Sequence, residues 1–525
     1  MSQTTHICML AAENDNIPGG KVGGIGDVIR DIPSALARLG SPAHDIKVTV
    51  MIPAYGALHL LPDAVRQDVF TTGFRAKTER IELFEYQPGK HAGVRYLMLH
   101  HPLFAAGGAG RVYCDDDTGQ PFATDASKFA LFSIACITAI RDGIVSSPDV
   151  LHLHDWHTAL AKVLIHYDDS FSALRDVRCV YSIHNLALQG IRPFAENSSS
   201  LQAWFPHLHY DSETLADPRW PHCINPVASA IRLASRVHTV SPSYAEEILF
   251  ANNEEQGFHG GEGLENDLQH ASDEGRLIGI INGIDYSATA ARKLAWGTFL
   301  EKMSDELLKV TGAHEQLRSV DYVAHQRLLQ WQYKDRPDHV ITSVGRLTTQ
   351  KIALLLEPRS DGNVPLEEIL SSLNGRGIFI LLGSGDRALE ATCRKMAARY
   401  SHFVFISQYS TRLSSLLFSN GDLFLMPSSF EPCGISQMLA MQHGQPCIAH
   451  AVGGLIDTIH DDVDGFLFHG EDIEAKRQAL VQRFNQVINL RETRPTKYSA
   501  LSEVARKQRF DWEDSAKRYL QELYS

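Results

Sequence analysis

The chain has 525 residues, too many for one hydrophobic core, so two domains of about 200–280 residues are expected. Hydrophobic residues make up 44% and charged residues 21%, the composition of an ordinary globular protein, and a formal net charge of −13 argues against a general nucleic-acid or anionic-membrane binder. No run of about 18 apolar residues reads as a membrane span, the start MSQTTHICMLAAEN lacks the basic residues of a signal peptide, and the eight cysteines have no paired spacing, so a cytoplasmic protein with reduced thiols is expected.

In chain order, HICMLAAE (6–13) is a strand and DVIRDIPSALARLG (27–40) an amphipathic helix closed by Gly40. Between them lies GGKVGGIGDV (19–28), with Lys21 between two glycine pairs. Glycines let a backbone approach a ligand, the following helix start favours an anion, and Lys21 adds a full charge. The plainer reading is a tight turn with a solvated lysine. The loop is neither a Walker A sequence nor a clean G-x-G-x-x-G.

DIKVTVMIPAYG (45–56) is a second strand, and DVLHLHDWH (149–157) is a strand running into a polar loop, followed by the helix TALAKVLIHY. His152, His154 and His157 raise the question of a metal. A zinc hydrolase signature would put Asp directly before the last His, where this chain has Trp156, with Asp155 one place too early, so no metal is expected. Two readings remain: strand-end histidines with ordinary hydrogen bonds, or an imidazole reaching a bound sugar. His152 and His154 alternate along the strand and share a face, while His157 is expected in the loop.

DVRCVYSIHN (176–185) and ASRVHTVSPS (234–243) repeat the strand-to-loop design. NNEEQGFHGGEGLEN is polar and glycine-rich and suggests the domain joint, near 255–275. The pattern restarts at RLIGIINGID and continues through a polar helical stretch at about 290–336. Strands follow at HVITSVGRL, IFILLGSGD, HFVFISQYS, DLFLMPSS and PCIAHAVGG. This alternation predicts an α/β chain of two doubly wound domains, 1–265 and 266–505. The segment 506–525 ends in an amphipathic helix whose apolar face is Phe510, Trp512, Tyr519, Leu520 and Leu523.

In such sheets ligands bind beyond the carboxyl ends of the strands. SVGRLTTQK places Arg346 and Lys351 in a loop there; taken alone this reads first as a solvated loop, and alternatively as two cations suited to a pyrophosphate and to the charge that grows on a departing nucleoside diphosphate. In FEPCGISQ, Glu431 can accept from sugar hydroxyls, and the amides of 434–437 lie where a helix begins.

Taken together, KVGGIGDV, HDWH, SIHNLALQG, VSPSYAEEI, NGIDYS, GRLTTQK, FEPCGISQ and GGLIDT resemble, in this order, the motifs of bacterial glycogen synthases and plant starch synthases. The resemblance spans about 6–525. It implies a GT-B fold, two Rossmann-like domains facing a cleft, with the last helix crossing back onto the N-terminal domain. It also implies retaining transfer of glucose from ADP-glucose, or UDP-glucose, to an α-1,4-glucan or maltooligosaccharide, without metal or other cofactor. A related transferase with a different acceptor, or a weakly catalytic glucan-binding homologue, is the alternative. By motif, His157, Arg346, Lys351 and Glu431 resemble the catalytic residues. Lys21, Gly23, Gly24, Asp27, Asn225, Tyr409, Cys433, Gly434, Ile435, Ser436, Gly453 and Gly454 resemble the donor- and substrate-binding ones, with Tyr409 against the base. The chain departs from the family patterns at Thr124 and Lys128, which stand for the Asp and Arg of DNxxRF. It departs again at Ala228 for a lysine, Ile352 for a glycine and Leu439 for an aromatic residue, and the WNP that usually follows NGIDYS is missing.

Overall fold

The structure, a computed structural model, describes residues 3–87, 93–108, 111–117, 119–286, 292–312 and 318–525. Ser287 of the NGIDYS stretch and parts of the expected helical stretch 290–336 lie outside the described residues. The chain packs as two units. One comprises Met1–Ala251, Gly260–Gly283 and Asp511–Ser525, the other Asn252–His259 and Ile284–Phe510. The division thus differs from the boundary at 265/266 read from composition. The polar stretch splits, because Glu265–Asp273 forms a helix and Leu277–Gly279 pairs beside Arg236–Thr239 in the first unit's sheet.

The first unit is built on β1 (Gln3–Leu10), β2 (His44–Pro53), β3 (Ala64–Phe74), β4 (Lys77–Tyr86), β5 (Val94–His100), β6 (Val150–His154), β7 (Arg178–Ile183), β8 (Arg192–Pro193), β9 (Cys223–Ile224), β10 (Arg236–Thr239) and β11 (Leu277–Gly279). Nine of these form one sheet in the order β11-β10-β7-β6-β1-β2-β5-β4-β3, and β8 pairs with β9 separately. Ile7–Leu10 are fully buried, as a strand covered on both faces should be. The helix Gly24–Arg38 turns Val28, Ile29, Ile32, Ala35 and Leu36 inward at helical spacing.

The antiparallel pairs β3–β4 and β4–β5 are not foreshadowed by strand–helix alternation. Their turn residues, Arg75 and Ala76, both adopt positive φ (55° each) without the Asn or Gly that normally signals such a hairpin. The helix Ala123–Arg141 is, among the described residues, long and apolar enough by length and composition to cross a membrane, but 89% of its apolar window is buried inside the unit.

The second unit carries β12 (His339–Val344), β13 (Gly377–Leu382), β14 (Phe403–Ile406), β15 (Leu423–Met426), β16 (Cys447–His450) and β17 (Phe466–Phe468), all parallel, in the order β14-β13-β12-β15-β16-β17. Numbered within the unit, this is the 3-2-1-4-5-6 order of a dinucleotide-binding fold. Alternate strand residues supply opposite faces. Phe379, Leu381, Phe403 and Phe405 enter one core cluster, and Ile378, Ile380, Leu382, Val404 and Ile406 the other. Each such buried side chain contributes about 1.5–3 kcal/mol. Ile352, in place of a family glycine, is spent on the first of these clusters.

After Phe510 the chain enters the first unit. The helix Trp512–Arg518, continued by a wider turn Tyr519–Leu523, buries Trp512, Ser515, Ala516, Tyr519 and Leu523. Trp512 donates its indole N–H to Asp31 at 3.2 Å, and Ser515 donates to the Ile281 carbonyl at 2.7 Å. Leu520 is only partly buried, and Phe510 instead packs against a cluster of the second unit with Phe424, Met441 and Leu455. All eight cysteines are free thiols.

Candidate functional site

Strand order reverses between β1 and β6 in the first sheet and between β12 and β15 in the second. Loops leaving two such strands part to opposite faces and open a crevice, so each unit has one expected ligand-binding point. The residues singled out in the sequence fall largely on these four loops.

In the first unit, Glu13 follows β1 and is 1% exposed. One carboxylate oxygen accepts the N–H groups of Val22 and Gly23, at the start of the helix Gly24–Arg38. The other accepts the Tyr113 hydroxyl at 3.2 Å. The glycine loop is therefore clamped by an internal carboxylate, and a Cβ on Gly23 would meet that carboxylate at 3.3 Å. Lys21 forms ion pairs with Asp27 at 2.6 Å and Asp15 at 3.2 Å, and Arg30 joins both aspartates. Burial pushes the Asp27 carboxyl above its usual range, against the pull of Lys21.

His157 lies in the first turn of the helix Trp156–Tyr167, not in the preceding loop, because Asp155 already makes the turn with φ of 53°. The Asp155 carboxylate accepts the His184 N–H at 2.7 Å, and burial raises its pKa to about 7. The His157 ring packs against Phe129 and Trp156 with centroids at 4.6 and 4.5 Å. Its Nε2 is 3.0 Å from the Tyr113 hydroxyl, and its buried Nδ1 has no hydrogen-bond partner among the described residues. Burial lowers its pKa to about 3, so the ring is neutral at pH 7. A carboxylate only accepts, so the single Tyr113 proton goes to Glu13. His157 Nε2–H then donates to the Tyr113 oxygen, which leaves Nδ1 as a bare acceptor.

In the second unit, Arg346 follows β12, and its exposed side chain pairs with no carboxylate among the described residues. Lys351 sits in the first turn of the helix Thr349–Leu356, one step past the expected loop, where its ammonium meets the Glu431 carboxylate. Glu431 is 4% exposed and also accepts the Ser428 hydroxyl at 3.1 Å. The loops after β12 and β15 are tied together, since Ser429 donates N–H to the Gln350 carbonyl and Gln350 donates to the Phe430 carbonyl.

Gly434 holds φ of 77°, and a Cβ there would meet Gln437 at 2.5 Å. The amides of Gly434 and Ile435 precede the helix Ser436–Gln442, whose N-terminus has no side-chain cap. A Cβ on Gly454 would meet the Cys433 backbone at 2.5 Å, and its N–H donates to the Glu431 carbonyl. The FEPCGISQ and GGLIDT motifs thus form one wall, with Gly453 at φ of 47° opening the next helix.

Other expected residues sit apart. Asn225 is fully buried and caps the helix Pro226–Leu233 by accepting the Ala228 N–H, while its amide donates to Gln189 and Asp217 at 2.7 Å. Arg219 brings a cation to the same Gln189 and Asp217 side chains, a role no motif announced. Tyr409 is 69% exposed and follows β14, the edge strand, two strands from the β12/β15 crevice. His152 and His154 do share a buried face, with stacked rings 4.2 Å apart. His152 bonds Tyr524 and Ser182, Ser182 bonds His238, and His154 bonds His184. Among the described residues no three His, Cys, Asp or Glu side chains are gathered to hold a metal ion. Sequence reasoning missed Glu13 and Tyr113. The first ends an apolar strand beside the glycine loop, a position that could have drawn attention; the second lies in an irregular stretch without any pattern.

The profile of the starch synthase catalytic domain matches residues 6–270, and that of group 1 glycosyl transferases matches 338–486. The glycogen synthase of Streptococcus equi subsp. zooepidemicus (strain H70) is 32% identical over 471 residues, covering 86% of this chain and 85% of its own length. That of Streptococcus sanguinis (strain SK36) is 30% identical over 535 residues, covering 97% and 98%. Among solved structures, the catalytic domain of starch synthase IV from Arabidopsis thaliana, bound to ADP and acarbose, is similar with a TM-score of 0.75 at 25% identity, over 100% of this chain and 99% of that one.

Proposed function

The chain belongs to the glycogen and starch synthase family of glycosyltransferases, and from that premise we propose that it moves glucose from ADP-glucose to the nonreducing end of an α-1,4-glucan with retention, in the cytoplasm. The observation that carries the reading is the meeting of Lys351 and Glu431 across the β12/β15 crevice, with Arg346 exposed on the same loop. The Arabidopsis relative, bound to ADP and acarbose, supports a nucleotide and a glucan as the ligand pair.

In this reading the second unit takes the donor. Arg346 and Lys351 hold the diphosphate and carry the charge that develops as the bond from glucose C1 to phosphate breaks. The Ser436 helix start and Gly434 offer backbone amides, and Glu431 accepts from glucose hydroxyls while keeping Lys351 aligned. The first unit takes the glucan. The neutral His157, its ring held by Tyr113, takes part in the acceptor site, and at pH 7 it serves as a hydrogen-bonding group and not as a proton donor. Lys21 binds phosphate by exchanging Asp27 or Asp15 for it, and Tyr409 flanks the base. A different acceptor is favoured by one observation: Ala228, where the family pattern has lysine, is fully buried.

A panel of nucleoside-diphosphate glucoses against glucan, maltooligosaccharide and buffer tests the reading. Transfer to a glucan from ADP-glucose supports it. Intact donor under every condition rejects it in favour of a binding protein.

A further inference from the structure

Tyr113 is the residue through which Glu13 and His157 meet, yet it lies in an irregular stretch, 111–117, with no ladder or helix to fix it. Its two peptide bonds are held from below. Lys128, one turn into the helix Ala123–Arg141, donates to the Val112 carbonyl at 3.0 Å and to the Asp125 carboxylate at 3.1 Å. The Asp125 carboxylate in turn accepts the Cys114 N–H at 3.1 and 3.2 Å. The carbonyl before Tyr113 and the N–H after it are therefore gripped by one ion pair. Both of its side chains are fully buried.

Two charges so deeply buried are costly, and an apolar pair of similar volume would fill the space at least as well. The pair's distinctive product is geometric: it fixes where the Tyr113 hydroxyl stands, and hence which way the His157 ring faces and that Nδ1 is the acceptor. Where the resembled pattern DNxxRF has Asp at 124 and Arg at 128, this chain has Thr124 and Lys128, and the carboxylate that meets the cation is that of Asp125.

We propose that Asp125 and Lys128 are positioning residues of the transferase site, acting on His157 through Tyr113; the inference rests on the transferase reading above. The test uses neutral isosteres that remove the pair without stranding one charge, Asp125→Asn with Lys128→Met, together with Tyr113→Phe and the triple variant, all in the full chain. In folded protein the isosteric pair is expected to lower kcat for glucan transfer at least about tenfold, with KM for ADP-glucose changed less than about threefold. The triple variant is expected to be no worse than Tyr113→Phe, since effects running through one residue do not add. Lys128→Arg, which keeps the cation, should recover most of the turnover.

Unchanged kcat in the isosteric pair, or full additivity with Tyr113→Phe, overturns the inference while leaving the transferase reading in place. Should the isosteric pair not fold, Asp125→Asn singly is measured against Tyr113→Phe by the same additivity criterion. A wild-type protein that transfers from no nucleoside-diphosphate glucose overturns both.

Discussion

The two switch points share a topology and differ in chemistry. Between β12 and β15 the functional groups are charged, and Arg346 stands in solvent. Between β1 and β6 they are buried and linked to one another, with Glu13 holding both the glycine loop and Tyr113, and Tyr113 holding His157. Strand order decides where a ligand can bind, and the loop residues decide what is bound. In the second unit the exposed Arg346 can be removed with little harm to the fold, whereas Glu431 is buried and paired with Lys351. In the first the side chains that would act belong to the fold, so function and stability are coupled there.

Acid should expose the contrast most strongly. His152, His154, His184 and His238 pack together under Tyr519 and Tyr524, with Ser182 between two of them and Arg518 acting on His238, and burial lowers every one of their pKa values, to about 4 for His184 and about 3 for His238. A depressed imidazole pKa means the unfolded chain binds the proton more tightly. The stability these groups lend is therefore complete above pH about 6.5 and falls as pH drops toward the folded values. At pH 5 one such group costs about 2 kcal/mol, at 1.36 kcal/mol per pH unit. In the second unit His450 is similarly lowered, to about 3, by burial first, with Lys476 and His469 acting on it as well. Hydrogen exchange between pH 7 and 5 should show the first unit and the C-terminal helix opening first. Earlier opening of the second unit would erase the contrast.

Lys351→Ala should lower turnover with ADP-glucose about 10- to 100-fold, because a lost charge-assisted contact is worth roughly 1.5–3 kcal/mol. Steady-state kinetics that match the wild type would remove the donor role from the second unit.

Glu13→Gln is expected to cost about 1–2 kcal/mol of stability and to lower turnover as well, since three donors converge on that carboxylate. Denaturant melts read beside kinetics would sharpen the comparison, and a loss of activity with no loss of stability would contradict the coupling argued for the first unit.

Arg346→Ala is the smallest perturbation to the fold. Its stability should stay within about 0.5 kcal/mol of wild type while KM for the donor rises, as befits an exposed side chain that acts only on a ligand. A melting temperature shifted as far as that of Glu13→Gln would show the two units to be alike after all.

Much of the fold was readable from local pattern. Apolar runs such as HICML and IFILL, each ending in glycine or polar residues and followed by helical spacing, determined the parallel strands and therefore which loops face a ligand, and the motif residues Arg346, Lys351 and Glu431 fall on those loops. The hairpin of β3 and β4 escaped because its turn residues carry no glycine signal. Only the tertiary structure decided that Asn225 is spent on a helix cap, that residues 252–259 join the second unit and 260–283 the first, and that Glu13, Tyr113 and His157 meet although Tyr113 is 100 residues from one and 44 from the other. Periodicity reports which face of an element is buried, because that depends on residues a few places apart. Which elements become neighbours depends on sheet order and long-range packing, which no short window of sequence contains.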